Sequence, residues 1–293
     1  MSVVETLKQS STTAPSKQDD DGFTKVEPKF KYKVTPKKKN HKKKKSHFKY
    51  QDPSDWTLDD MIKQLESYRE KLIETRFYET LVPLLTDHLL PRQCDTMICY
   101  GVGSMQDSIA ARYQFMLALA IKDILQLKKG RLSIYDPVMT SLDKEACAHY
   151  DLKVIQQDEG CKRSITTSTL FYMPHCAKSL YSNTISANWT KEQLEQVTFI
   201  GNDFLDVYIT SQPDSTLRRE CPYLIPASTI VESTPFPDNL FAITNVFNNL
   251  AIQYFPASVI PQEDSDPFWS SVPFEKKDDS NSEDKDEDEK DRK

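Results

Sequence analysis

Short apolar runs alternate with amphipathic stretches from residue 95 to residue 256, and this alternation restricts the possible folds more than any other feature of the chain. Residues 96–100 (TMICY) form a β-prone run that ends in GVGS. Over 106–127, Ile109, Tyr113, Met116, Leu117, Ala120, Ile124 and Leu127 recur at helical spacing, and Gly130 stands where a C-cap glycine is expected. Further strands are predicted over 131–135 (RLSIY), 152–155, 169–173 (TLFYM), 197–200 (VTFI) and 250–255 (LAIQYF), with short helices over 142–150 and from 177 to about 188. Strands that recur with helices between them imply a parallel sheet covered on both faces, since each parallel connection must cross back over the sheet. The predicted fold class is therefore α/β, a Rossmann-like three-layer fold with a mainly parallel sheet.

A helical lead-in precedes this region. Over 57–79, Leu58, Ile62, Leu65, Leu72 and Ile73 fall close to helical spacing among dense charges, and Thr57 with Asp60 resembles a capping box. A second helix is expected over 81–90, stopping at Pro91. The domain reading is a disordered Lys-rich region at 1–54, the lead-in at 55–94, the α/β domain at 95–261 and a disordered acidic tail at 262–293. Charge supports the two ends. Between residues 25 and 49 twelve lysines face one acid, Glu27, while residues 275–293 carry ten acids and six bases. Such segments bury too little apolar surface to offset the entropy of ordering. The run Lys37, Lys38, Lys39, Lys42, Lys43, Lys44, Lys45 reads either as a nuclear-import signal or polyanion-binding arm, or as a solvated charge run.

The six cysteines contain no CxxC pair, which points to a reducing compartment. The opening MSVVETLKQS lacks the layout of a secretory signal, and the apolar stretch at 115–121 is far short of the roughly 20 residues that span a bilayer. An intracellular protein without a membrane partner is expected.

A site is predicted where strand connections diverge. If the first strand is central, the fourth lies beside it, their connections leave on opposite faces, and a crevice opens at their carboxyl ends. Gly101, Gly103 and Ser104 then stand on one side and His175 and Cys176 on the other, with Asp136 and the pair Asn202–Asp203 ending the flanking strands. These eight are the candidate ligand-binding residues. The expected occupant is a small anionic ligand cradled by Gly101, Gly103 and Ser104, because two glycines admit close backbone approach and a helix start favours negative charge. His175 and Asp203 would be polar contacts. The pattern is short of a dinucleotide fingerprint: its third glycine would fall at Gln106, and Asp136 lies 33 residues beyond Gly103 rather than about 20. The plainer alternative is a tight strand-to-helix turn, with Asp136 capping the turn at Pro137.

No catalytic residue, metal ligand or cofactor is assigned. His175–Cys176 has the residue types of a base and a nucleophile, but neighbours on a strand point to opposite faces. The five histidines are scattered without metal-ligand spacing. Cys221–Pro222, following Arg218–Arg219, has the form of a haem-thiolate motif in a flexible loop, or of simple loop punctuation.

Several longer segments occur in order: CYGVGS (99–104), YDP (135–137), EGCKRS (159–164), LFYMPHCAKSLYSNTISANW (170–189), IGNDF (200–204) and FPDNLFAITNVFNNLAIQYFP (236–256). The series resembles the SRR-like (sensitivity to red light reduced) family. Ala177 stands where that family commonly has glycine, and Asn248 where an acid is common. The resemblance implies a regulatory protein linked to circadian-clock input, gene expression and regulation of haem biosynthesis, placed in cytoplasm and nucleus, with no established reaction. Protein partners are expected. Two other readings compete: a nucleotide- or S-adenosylmethionine-dependent enzyme using the crevice, and a nucleic-acid binder using the lysine arm.

Overall fold

The computed structural model describes residues 53–272. Helix α1 (Leu58–Ile73) opens with a reciprocal cap: the Asp60 N–H donates to the Thr57 hydroxyl at 3.3 Å, and the Thr57 N–H to the Asp60 carboxylate at 3.1 Å. The predicted run over 57–79 is broken at Glu74–Thr75, and α2 (Arg76–Leu89) begins there. The Thr75 hydroxyl donates to the Leu72 carbonyl at 2.6 Å and accepts the Tyr78 N–H at 3.1 Å, so one side chain closes a helix and starts the next.

Strand β1 (Thr96–Tyr100) leads into α3 (Ile109–Ile124), capped by Ser108, whose hydroxyl accepts the Ala111 N–H. Gly130 is not the residue that closes this helix. Gln126 takes the left-handed conformation (φ 51°), the Gln126 N–H donates to the Asp123 carbonyl and the Leu127 N–H to the Lys122 carbonyl, which is a Schellman closure. Gly130 serves the next turn, ahead of β2 (Leu132–Tyr135). Then follow α4 (Ser141–His149), β3 (Lys153–Val154), β4 (Thr169–Met173), α5 (Lys178–Ser186), α6 (Lys191–Glu195) and β5 (Val197–Asn202). A π-helical turn (Phe204–Ile209), α7 (Asp214–Glu220), α8 (Leu224–Ser228), β6 (Glu232–Pro235), β7 (Leu250–Tyr254) and α9 (Pro267–Ser270) complete the described chain.

The seven strands form one sheet in the order β3-β2-β1-β4-β5-β7-β6. Pairings among β1 to β5 are parallel, while β7 runs antiparallel to both β5 and β6. The fold is thus α/β with a mostly parallel sheet, but its last strand departs from a purely parallel reading. Strand β6 was not predicted at all: Glu232, Ser233 and Thr234 have no apolar alternation, and the strand occupies the edge, ending at Pro235, where a ladder N–H is dispensable.

Alternation sorts the core. Met97, Cys99, Leu170 and Tyr172 point to one face, against Leu65, Phe77, Phe115 and Ala146 from α1 to α4. Ile98, Tyr100, Phe171 and Met173 point to the other, against Tyr181, Leu194, Leu217 and Leu224 from α5 to α8. Both faces are dry, so the strand ends are the natural place for polar side chains. The chain leaves β1 toward α3 on one face and β4 toward α5 on the other, the kind of divergence at which ligands bind in open α/β sheets.

Candidate functional site

The loop after β1 is built by backbone necessity. Gly101 has φ 72° and Gly103 φ 85°, both in the region where a side chain is strained. At Gly101 a Cβ would also lie 2.4 Å from Cys176 Sγ, so the loop packs directly on the start of the β4–α5 connection. The Cys176 thiol in turn donates to the Tyr100 carbonyl at 3.4 Å. Gly101 and Cys176 therefore meet across the β1–β4 divide, as the topology argument requires.

Both glycine N–H groups of the loop are engaged within the protein. The Gly101 N–H donates to the Tyr135 carbonyl at 3.3 Å, and the Gly103 N–H to Asp136 Oδ2 at 2.8 Å. The other Asp136 oxygen accepts the Val138 N–H at 2.9 Å. Ser104 is buried and its hydroxyl accepts the Asp107 N–H, so it braces the turn. The Asp136 carboxylate thus occupies the Gly103 N–H, one of the donors the expected anion cradle would use. Behind the loop, two buried charges hold its back. The Gln106 N–H donates to Asp143 Oδ1 at 2.9 Å, and Arg112 donates to the Met105 and Gln106 carbonyls, each at 2.6 Å. The Arg112 guanidinium lies 4.7 Å from the Trp56 ring centroid, and Gln106 Nε2 reaches the Pro53 carbonyl. The residues leading into α1 are thereby part of the loop's support.

On the opposite side the chain turns sharply at His175 (φ 55°), whose N–H donates to Asn202 Oδ1 at 2.9 Å. Asn202 Nδ2 donates to the Tyr208 hydroxyl, which donates to the Cys176 carbonyl at 2.7 Å. His175 Nε2 lies 3.2 Å from the Val246 carbonyl, an arrangement that needs the proton on Nε2. Protein packed around the ring lowers the His175 pKa, with the Val246 carbonyl acting the other way. Burial pushes the Cys176 thiol far above its usual value, with Cys161 and Asp136 adding to the rise. A neutral, buried thiol is a poor nucleophile.

Asp203 does not join the crevice. Its Oδ1 accepts the N–H groups of Leu205 and Asp206, capping the π-helical turn, and its Oδ2 accepts the Ser233 hydroxyl from β6. Cys221 is not in a flexible loop: it is fully buried at the end of α7, its N–H bonded to the Leu217 carbonyl at 2.8 Å, and burial raises its pKa. Among the described residues no group of three His, Cys, Asp or Glu side chains is placed to hold a metal ion. Lys37 to Lys45 lie outside the described residues.

Two bracing contacts near the strand ends have no clear signal in the sequence. Glu159 accepts the Tyr100 hydroxyl at 2.8 Å and pairs with Arg163, joining the EGCKRS segment to the end of β1. Buried Gln253 on β7 clamps β5, donating to the Asn202 carbonyl and accepting the Phe204 N–H, both at 2.9 Å. The one available signal was a glutamine interrupting LAIQYF. A concavity of about 330 Å³ lies on the helical flank, lined by Arg69, Ile73, Met116 and Asp123 among others, away from these strand ends.

Residues 63–254 match the SRR1 domain. The Arabidopsis thaliana Protein SENSITIVITY TO RED LIGHT REDUCED 1 is 31% identical over 108 residues, covering 37% of this chain and 39% of that protein. A Drosophila melanogaster SRR1-like protein is 25% identical over 226 residues, 75% of this chain and 77% of its own length. A Mus musculus SRR1-like protein is 32% identical over 108 residues, 36% and 43% of the two chains. The aligned stretch thus spans less than half of the plant and mouse relatives. Among solved structures, the SAH-bound Podospora anserina methyltransferase PaMTH1 matches at TM-score 0.37 and 13% identity, covering 67% of this chain and 87% of its own. The apo S-adenosylmethionine-dependent methyltransferase SibL matches at TM-score 0.33 and 11% identity, covering 72% and 71%. No helix among the described residues is long and apolar enough to cross a membrane.

Proposed function

Given that this chain belongs to the SRR1 domain family, we propose that it is a regulatory protein whose strand-end crevice senses a small ligand and whose signal passes to protein partners. The observation that carries this reading is the meeting of Gly101, Gly103, Asp136, His175 and Asn202 at the carboxyl ends of neighbouring strands, where the chain leaves on opposite faces. A regulator is favoured over an enzyme because the group with nucleophilic potential is disarmed: Cys176 is buried as a neutral thiol. The finer roles follow the family: circadian-clock input, gene expression and control of haem biosynthesis, carried out in cytoplasm and nucleus, with Lys37 to Lys45 as the import signal.

The test is native mass spectrometry and thermal-shift screening of the full chain against nucleosides, nucleotides, S-adenosylmethionine, dinucleotides and haem. A copurifying ligand, or a shift that Gly103→Val removes, is the expected result. A folded protein that carries nothing and shifts with nothing would overturn ligand sensing and leave a scaffold acting through its surface alone.

A further inference from the structure

The concavity between α1, α2 and α3 is a site in its own right, independent of the strand-end crevice. We infer that it binds a free α-amino acid with a large apolar side chain, that side chain seated between α1 and α3 and its zwitterionic head held by Arg69 and Asp123.

The first observation is the shape of the cavity. Met116, Ala120, Asp123 and Ile124 recur along α3 at helical spacing, opposite Arg69, Leu72 and Ile73 near the end of α1. Ala120 is the short side chain of that stripe, with Met116 one turn before it and Ile124 one turn after. Leu72 and Met116 are buried, while Ile73 is 48% exposed. The volume of about 330 Å³ is at the small end of the range for ligand pockets, roughly 300–1,000 Å³. It suits a molecule of amino-acid size better than a dinucleotide or haem. Ala120 also lies well away from the glycine loop, since α3 rises roughly 16 Å between Ile109 and Ala120.

The second observation is the set of polar side chains that line the same cavity: Arg69, Asp123 and Tyr78. Arg69 approaches Asp123 only to 3.7 Å and Glu66 only to 3.8 Å, both beyond hydrogen-bond length. Among the described residues, neither the Arg69 guanidinium nor the Tyr78 hydroxyl makes a hydrogen bond. Exposed ion pairs of this kind contribute little to stability, so a ligand head can part them at small cost. Burial raises the Tyr78 pKa, with Arg69 opposing the rise and Asp123 adding to it, so the hydroxyl stays a donor beside both charges.

The third observation is the balance of charge. Arg69 is offset by Asp123 and by Glu66, one oxygen of which also accepts the Tyr150 hydroxyl at 2.7 Å. A simple anion would meet two carboxylates as well as the guanidinium. A zwitterion brings both signs: its carboxylate accepts from Arg69 and Tyr78, and its ammonium donates to Asp123. Apolar walls with a few orienting polar groups then fix the side chain below the head.

The experiment is saturation-transfer NMR and isothermal titration of the full chain with L-leucine, L-methionine and L-phenylalanine. Each is compared with its amide, which lacks the carboxylate, and with its des-amino acid, which lacks the ammonium; L-glutamate is the control. At least one of the three amino acids is expected to bind, and glutamate is not. Removing either head-group charge should weaken binding about tenfold or more, the worth of a hydrogen bond to a charged group. Arg69→Gln should erase the preference for the amino acid over its amide, and Asp123→Asn the preference over the des-amino acid. Ala120→Leu fills the hollow and should abolish binding, with the melting temperature of the free protein unchanged or raised. A folded chain silent to all three amino acids would overturn the inference, as would undiminished binding in a folded Ala120→Leu variant. Des-amino acids that bind as tightly as the amino acids would also overturn it, leaving an apolar contact alone. If Ala120→Leu does not fold, the analogue series on the wild type decides by itself.

Discussion

A Cβ at Gly101 would sit 2.4 Å from Cys176 Sγ, whereas one at Gly103 would meet only Ala111 Cβ at 3.5 Å. Both glycines have positive φ, so each alanine substitution carries about 1–2 kcal/mol of left-handed strain. Gly101→Ala adds overpacking against a buried sulfur, another 1–3 kcal/mol or so. Urea denaturation should therefore show Gly101→Ala costing about 2–5 kcal/mol, and about 1–2 kcal/mol once Cys176→Ala has removed the sulfur. Equal costs in the two backgrounds would mean the sulfur contact does not matter. His175 makes a second prediction at this scale. Its folded pKa lies below the unfolded value of about 6.5, so the neutral ring is favoured in the native state. Its contribution is present above the unfolded pKa and is lost as pH falls through the folded pKa. Denaturation midpoints should decline as pH drops below about 6.5, and less so in His175→Gln. Glu159, held low first by Arg163, acts in a lower window: its stabilisation disappears as pH falls below the ordinary carboxylate range. Parallel profiles for wild type and His175→Gln would remove His175 from the linkage.

Elements follow their local signals where those signals are strong. Residues 169–173 form β4 over the predicted span because five consecutive side chains, three of them β-prone, are buried on both sheet faces. The capping pair Thr57–Asp60 starts α1 where it was expected. Helix ends were harder to read. Thr75 splits one helix into two and Gln126 takes a glycine's conformation, because local hydrogen bonds compete with simple periodicity. Strand β7 depends on a polar residue that a pattern search ignores. Gln253 satisfies the Asn202 carbonyl and the Phe204 N–H in a fully buried setting. Gln253→Leu keeps the strand pattern but orphans both groups, and should cost about 2–4 kcal/mol. The loss should be readable as a lower denaturation midpoint with accelerated amide exchange along β5 and β7. A variant as stable as wild type would show that water replaces the clamp.

At the scale of the molecule, seven strands share two apolar faces, and the candidate site is where the connections of β1 and β4 part. The sequence by itself determined the layered α/β class, the central parallel strands, their lengths to within a residue or two, and the meeting of the glycine loop with residues 175–176. These follow from local periodicity and from the rule that parallel strands need crossovers, both of which are written into neighbouring residues. Tertiary structure alone decided the rest. The antiparallel turn of β7 and the polar edge strand β6 depend on partners more than ten residues away, with no local trace. Asp203 has the sequence position of a site residue yet spends both oxygens on the π-helical turn and Ser233, so position on a strand end did not predict its direction. Asp136 reads from sequence either as a ligand contact or as a cap on the turn at Pro137; its bonds to the Gly103 and Val138 N–H groups make it the brace between that turn and the glycine loop. Periodicity records which residues are buried, but hydrogen-bond partnership is settled only when distant backbone groups are brought within about 3 Å of each other.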